Sequence, residues 1–231
     1  MHYAADTCFR KGERLMKSSL IFDLDGTLWD SSRQCAGAWT AALSRTEAAR
    51  TVTAEDMHRF MGKTMEQIAD MLLPDIEKPR RAELMELCTA EEYSYLETHH
   101  GELYGGAEEA LKRLREQYRL FIVSNSLDGY VQLFLRTTGL DGYFEDYEMW
   151  GRTMLPKGDN IKLVMERNGV ARAAYIGDTE GDQSAAEQAG IPFIHAAYGF
   201  GKVTGAAAVL GSITELPEAA ERLFGKCGGD V

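Results

Sequence analysis

Four short apolar runs separated by amphipathic stretches limit this chain to a small group of folds. Ser18 to Leu24 (SSLIFDL), Leu120 to Ser124 (LFIVS), Ala173 to Gly177 (AAYIG) and Pro192 to Ala196 (PFIHA) are bounded by turn-forming or polar residues. Runs of this length and punctuation read as strands buried on both faces. Between them, Glu108 to Gln117, Tyr130 to Thr138, Asn160 to Asn168 and Gln183 to Ala189 are patterned as helices. Such alternation predicts an α/β core, a parallel sheet with crossover helices.

The texture changes from Ser31 to about His100, where β-branched runs give way to Ala, Met, Leu and Glu, with breaks at Gly62, Pro74 and Pro79. Three or four helices inserted after the first strand are expected here. The resulting division is 18–30 with 103–231 as a core and 31–102 as a helical insertion. The crossings near Ser31 and near Leu103 to Gly106 are expected hinges. Residues 1–17 read as an N-terminal extension without periodicity, and a chain starting at Met16 is expected to suffice for activity.

Charge narrows the partners. With 36 acidic and 25 basic residues the net charge is −11, unfavourable for a polyanion, so no nucleic-acid partner is expected. No apolar run approaches the about 20 residues needed to cross a bilayer, and the N-terminus has no hydrophobic segment of a secretory signal, so a cytoplasmic protein without a membrane partner is expected. Cys8, Cys35, Cys88 and Cys227 are far apart and form neither a CxxC pair nor a dense framework, which fits reduced thiols. A monomer or homodimer is expected.

The residues that carry chemistry lie where the strands end. Asp23-Leu24-Asp25-Gly26-Thr27 follows the first apolar run, and a turn at Gly26 lets two carboxylates meet one ligand at the carboxyl edge of a parallel sheet. The second run ends in Ser124-Asn125-Ser126, whose hydroxyl and backbone N–H groups suit phosphate oxygens. Lys157 precedes a helical pattern and would offset phosphate charge. The third run ends in Gly177-Asp178-Thr179-Glu180-Gly181-Asp182, two further carboxylates at the same edge. Magnesium prefers about six oxygen ligands and keeps several waters, so Asp23, Asp178 and a phosphate suit it.

In these four motifs and their order the sequence resembles the haloacid dehalogenase-like hydrolase superfamily, in the branch that includes phosphoglycolate phosphatase-like enzymes. The likeness runs from about Met16 to Phe224. It implies a Rossmannoid core with a helical cap, and a magnesium-dependent phosphatase acting on a small phosphorylated metabolite. It also implies roles. Asp23 would be the nucleophile and Asp25 the acid and base; Ser124, Asn125 and Lys157 would bind phosphate; Asp23, Asp178 and the backbone carbonyl of Asp25 would hold Mg2+. Asp182 would contact the metal through water or orient Lys157, and Thr27, like Asp182, would lie behind the residues that touch substrate and metal.

Two positions depart from the commonest pattern of relatives: Gly158 follows Lys157 where many carry Pro, and Gly105-Gly106 replaces Pro-Gly at the return from the cap. Halide-removing and phosphonate-cleaving relatives lack the second acid, so Asp25 points to phosphoryl chemistry. A sugar-phosphate mutase of the β-phosphoglucomutase type shares both acids and stays open, although Thr27 leans towards a phosphatase. A non-catalytic binding protein on the same fold is the reading from another class. Substrate choice belongs to the insertion, where Lys63 could bind a second anionic group such as a carboxylate; Trp29, Trp39 and Tyr104 could line the cleft between insertion and core.

Overall fold

The computed structural model describes residues 17–61 and 63–225. The N-terminal extension up to residue 16, Gly62, Cys8 and Cys227 lie outside the described residues. Six parallel strands form one sheet in the order β5-β4-β1-β6-β7-β8, with β1 at Ser19–Phe22, β4 at Arg119–Ser124, β5 at Asp146–Met149, β6 at Ala173–Gly177, β7 at Phe193–Ala196 and β8 at Ala208–Leu210. Every residue of β1, β4, β6 and β7 is buried, as a sheet covered by helices on both faces requires. Crossovers run through α5 (Ala107–Gln117), α6 (Tyr130–Thr138), α8 (Lys157–Arg167) and α9 (Glu180–Ala189). A short α7 (Trp150–Thr153) precedes α8, and α10 (Leu216–Phe224) closes the described chain. The α/β reading holds.

The sheet is wider than the four apolar runs predict. β5 has the sequence DYEM, half-buried in its first two residues, and its charge hides it. Asp146 is held by Arg167 and Asn168. β8 is a three-residue edge strand with Val209 exposed. Two helices also begin three residues earlier than their patterns suggest, α8 at Lys157 and α9 at Glu180.

Four helices occupy the inserted stretch: α1 (Ser32–Ser44), α2 (Ala54–Phe60), α3 (Met65–Leu72) and α4 (Lys78–Leu96). Capping boxes open α2 at Thr53/Asp56 and α3 at Thr64/Gln67. Pro79 sits in the first turn of α4, where its missing N–H costs nothing. A small antiparallel pair, β2 (Trp29–Asp30) with β3 (Glu102–Leu103), ties together the two strands of chain that lead into and out of these helices.

No helix among the described residues is long and apolar enough to cross a membrane. Cys35 and Cys88, the cysteines that fall within them, are buried free thiols.

Candidate active site

β1, β4 and β6 are neighbours at the centre of the sheet, so the residues just beyond their carboxyl ends meet in one cleft. Asp23 and Asp25 follow β1, Ser124 ends β4, and Asp178 follows β6. The turn between the first two acids depends on Gly26, whose φ is +83°. A Cβ there would also strike the Asp178 carboxylate and the Phe200 ring. Only glycine fits this crossing point.

Lys157 at the start of α8 is buried and places its Nζ 2.8 Å from Asp23 Oδ1 and 2.6 Å from Asp182 Oδ1. Burial works against its charge, but the carboxylates of Asp182 and Asp23 outweigh it and push its pKa well above the ordinary lysine range. It stays an ammonium. Burial raises Asp23 well above the usual carboxylate range; Lys157 opposes this, while Asp182 and Asp178 add to it.

Asp182 does two jobs with two oxygens. Oδ1 accepts from Lys157, and Oδ2 accepts from the backbone N–H groups of Asp178 and Thr179 and from the Thr179 hydroxyl, closing a capping box at the start of α9. The Thr-x-x-Asp spacing is the sequence signal that could have set the start of α9.

Asp178 Oδ2 accepts from the Phe200 N–H at 2.8 Å, while Oδ1 is buried with no hydrogen-bond partner among the described residues. An orphaned buried carboxylate oxygen costs free energy unless something outside the protein meets it. Burial, reinforced by the Asp182 carboxylate, raises Asp178 to about 7. Carboxylate oxygens of Asp23, Asp178 and Asp182 lie within 4.8 Å of one another. With both Asp182 oxygens engaged, Asp23 and Asp178 are the acids left to a divalent cation, and the donor set fits one.

Asp25 stands in a different environment. Its Oδ1 accepts hydrogen bonds from the Ser31 and Tyr130 hydroxyls, both at 2.9 Å, and these hydroxyls also lie 2.8 Å apart. Burial pushes its pKa up to about 6, against the pull of those donors. A carboxyl group tuned there can both give and take a proton near neutral pH. The pairing of Asp25 with Tyr130 spans more than a hundred residues, and no spacing in the sequence announces it.

The remaining expected residues divide. Ser124 and Asn125 face the cavity, Ser124 buried and Asn125 exposed, and Lys63 lies exposed on its wall. Thr27 is fully buried outside the cavity lining, and its carbonyl accepts from the Tyr198 hydroxyl. Of the three aromatics, Trp39 lines the cavity. Trp29 instead packs in the core against Phe134 and Tyr130, and Tyr104 against Tyr198. The departure at Gly158 also has a physical reason, because the Gln188 side chain occupies the space where a Cβ would project.

Comparison with known proteins agrees with this geometry. Residues 20–196 match the family model described as haloacid dehalogenase-like hydrolase. A phosphoglycolate phosphatase from Rhodobacter capsulatus is 30% identical over 81% of this chain and 87% of its own length. A pyrophosphatase PpaX from Listeria innocua is also 30% identical, over 74% of this chain and 79% of its own. Among solved structures, a haloacid dehalogenase-like family hydrolase from Streptococcus pneumoniae superimposes with a TM-score of 0.77 at 21% identity, covering 88% of this chain and 98% of that one. The fold, the crowded acids at the sheet edge and these likenesses agree, and the chain belongs to the haloacid dehalogenase-like hydrolase family.

Proposed function

We propose that the protein is a magnesium-dependent phosphatase that hydrolyses a small phosphorylated metabolite through a phosphoaspartate at Asp23. The observation that carries this reading is the Lys157 ammonium bridging Asp23 and Asp182, beside an Asp178 oxygen that has no hydrogen-bond partner among the described residues. An anionic nucleophile and an anionic ester repel each other, and this arrangement supplies the positive charge that lets them approach.

Asp23 attacks phosphorus, forming a P–O bond as the ester oxygen departs. That oxygen takes its proton from the Asp25 carboxylic acid, held in place by Ser31 and Tyr130. Asp25, now a carboxylate, then removes a proton from the water that attacks phosphorus, releasing phosphate and restoring Asp23. Ser124, Asn125 and Lys157 hold the transferring phosphoryl oxygens. Asp23, Asp178 and the backbone carbonyl of Asp25 would hold Mg2+, which neutralises charge on nucleophile and phosphate when bound. Asp182 keeps Lys157 in position.

Residues 31–102 are proposed to act as a cap on a core of 18–30 and 103–225, with the β2/β3 pair as its hinge. Ring stacking of His58 on Phe200 at 4.3 Å and a 3.2 Å hydrogen bond from the Tyr93 hydroxyl to the Leu127 carbonyl support a cap that rests against the core. Such a cap excludes water during the first transfer.

Phosphate release from a panel of small esters is expected to require Mg2+, to stop with a chelator and to return when the ion is restored. Release that persists without any divalent ion contradicts this reading. Isomerisation of a phosphosugar without release would make the acceptor a sugar hydroxyl, as in a mutase. Lys63, exposed on the cavity wall, is proposed to draw in the anionic end of the substrate. Lys63→Ala is expected to raise KM severalfold with kcat retained, roughly what one screened charge contributes; an unchanged KM removes Lys63 from substrate binding.

A further inference from the structure

The cavity above Asp23 has a volume of about 570 Å³, room for about nineteen waters at about 30 Å³ each. That is the size class of pockets that enclose drug-sized ligands. A two-carbon acid or a second phosphate would fill only the part next to Asp23. The wall contributed by the helices is mostly apolar, with Met57 and Phe60 from α2 and Met65 and Ile68 from α3.

One acid from these helices, Glu92 of α4, faces the cavity. It lies deep in the protein yet keeps accessible surface, because the cavity reaches it. The Trp39 indole N–H donates to its Oε2 at 2.5 Å, and among the described residues no cationic side chain is one of the groups that act on it. Burial pushes its pKa up to about 7, and the indole hydrogen bond only partly opposes that. A desolvated carboxylate without a counter-ion repels an anionic ligand group and gains most from a cationic one. Trp39 and Tyr93 add aromatic surface to the same wall, and such surface also favours cations.

We propose that the cavity takes a phosphate monoester whose alcohol portion is bulky, largely apolar and ends in an ammonium group, with Glu92 recognising that nitrogen. The proposal rests on the phosphatase reading of the same cavity. It sets this chain apart from an enzyme built for phosphoglycolate or pyrophosphate, whose leaving groups are anionic.

Three para-substituted phenyl phosphates of similar size test it, carrying 2-aminoethyl, ethyl or carboxymethyl groups. With Mg2+ present, kcat/KM for the amine should exceed that for the acid by at least about tenfold. Glu92→Gln should bring the two within about twofold, while Glu92→Asp should keep the preference for the amine, and thermal melts report whether each variant is folded. An acid ester used as well as the amine, or an undiminished preference in folded Glu92→Gln, overturns the inference. Faster turnover of phosphoglycolate or pyrophosphate than of all three esters also overturns it and leaves the phosphatase reading standing. Release of phosphate from none of the five compounds sinks both.

Discussion

Asp23→Asn is expected to lower phosphate release by at least about a thousandfold, because an amide cannot form the acyl phosphate on which both half-reactions depend. The same substitution should not unfold the protein. Ionised Asp23 is held against burial and against two neighbouring carboxylates, so a neutral amide relieves repulsion. Its oxygen can still accept from Lys157, which keeps its contact with Asp182. The melting temperature should stay the same or rise by about 2 to 4 °C, the equivalent of about 1 kcal/mol in a protein of this size. Calorimetry alongside a phosphate-release assay reads both quantities. Substantial activity in the variant contradicts the nucleophile assignment, and a large fall in melting temperature contradicts the electrostatic account of the site.

Lys157→Met should have the opposite effect on stability. It removes the ammonium but leaves Asp23, Asp178 and Asp182 with their oxygens within 4.8 Å of one another. Stripping one partner from a buried ion pair costs about 3 to 5 kcal/mol, so a fall in melting temperature on the order of 10 °C is expected. Phosphate release should fall by about a hundredfold or more, since a fixed positive charge at the transferring group is lost. The two variants thus separate the roles of the pair: loss of the Asp23 carboxylate silences chemistry without destabilising the fold, and loss of the Lys157 ammonium silences chemistry and destabilises the fold. A Lys157→Met protein as stable as the parent would show that the three acids are not held together at a cost.

These contrasts rest on residues of unequal visibility in the sequence. Asp23, Asp25, Lys157 and Asp178 could be read because each follows or precedes a recognisable buried element, and the order of the motifs carried the family. The centre of the sheet was legible for the same reason, since strands buried on both faces are written as unbroken apolar runs. β5 and β8 were not, because an edge strand has one side to solvent and its sequence need not be apolar. DYEM reads as a polar loop until Arg167 and Asn168 are seen to hold Asp146.

The partners that tune the acids were least visible. Ser31 reads as the crossing into the insertion and Tyr130 as the first residue of a helix, and only the fold brings both hydroxyls to Asp25. Glu92 is concealed differently. An acid on a helix rich in Glu looks solvated, and nothing in its sequence neighbourhood marks it as the residue turned towards a cavity. Thr27 shows the converse, a motif residue that faces the core rather than the cleft.

The most direct test of the central claim is to trap the enzyme during turnover. The protein is mixed with Mg2+ and a phenyl phosphate it hydrolyses, quenched in acid within the turnover time, digested and weighed by mass spectrometry. The peptide containing Asp23 should be heavier by one phosphoryl group, and the adduct should be absent from Asp23→Asn. Steady release of phosphate with that peptide unmodified under the same quench, or a phosphoryl group on another residue, would contradict the account.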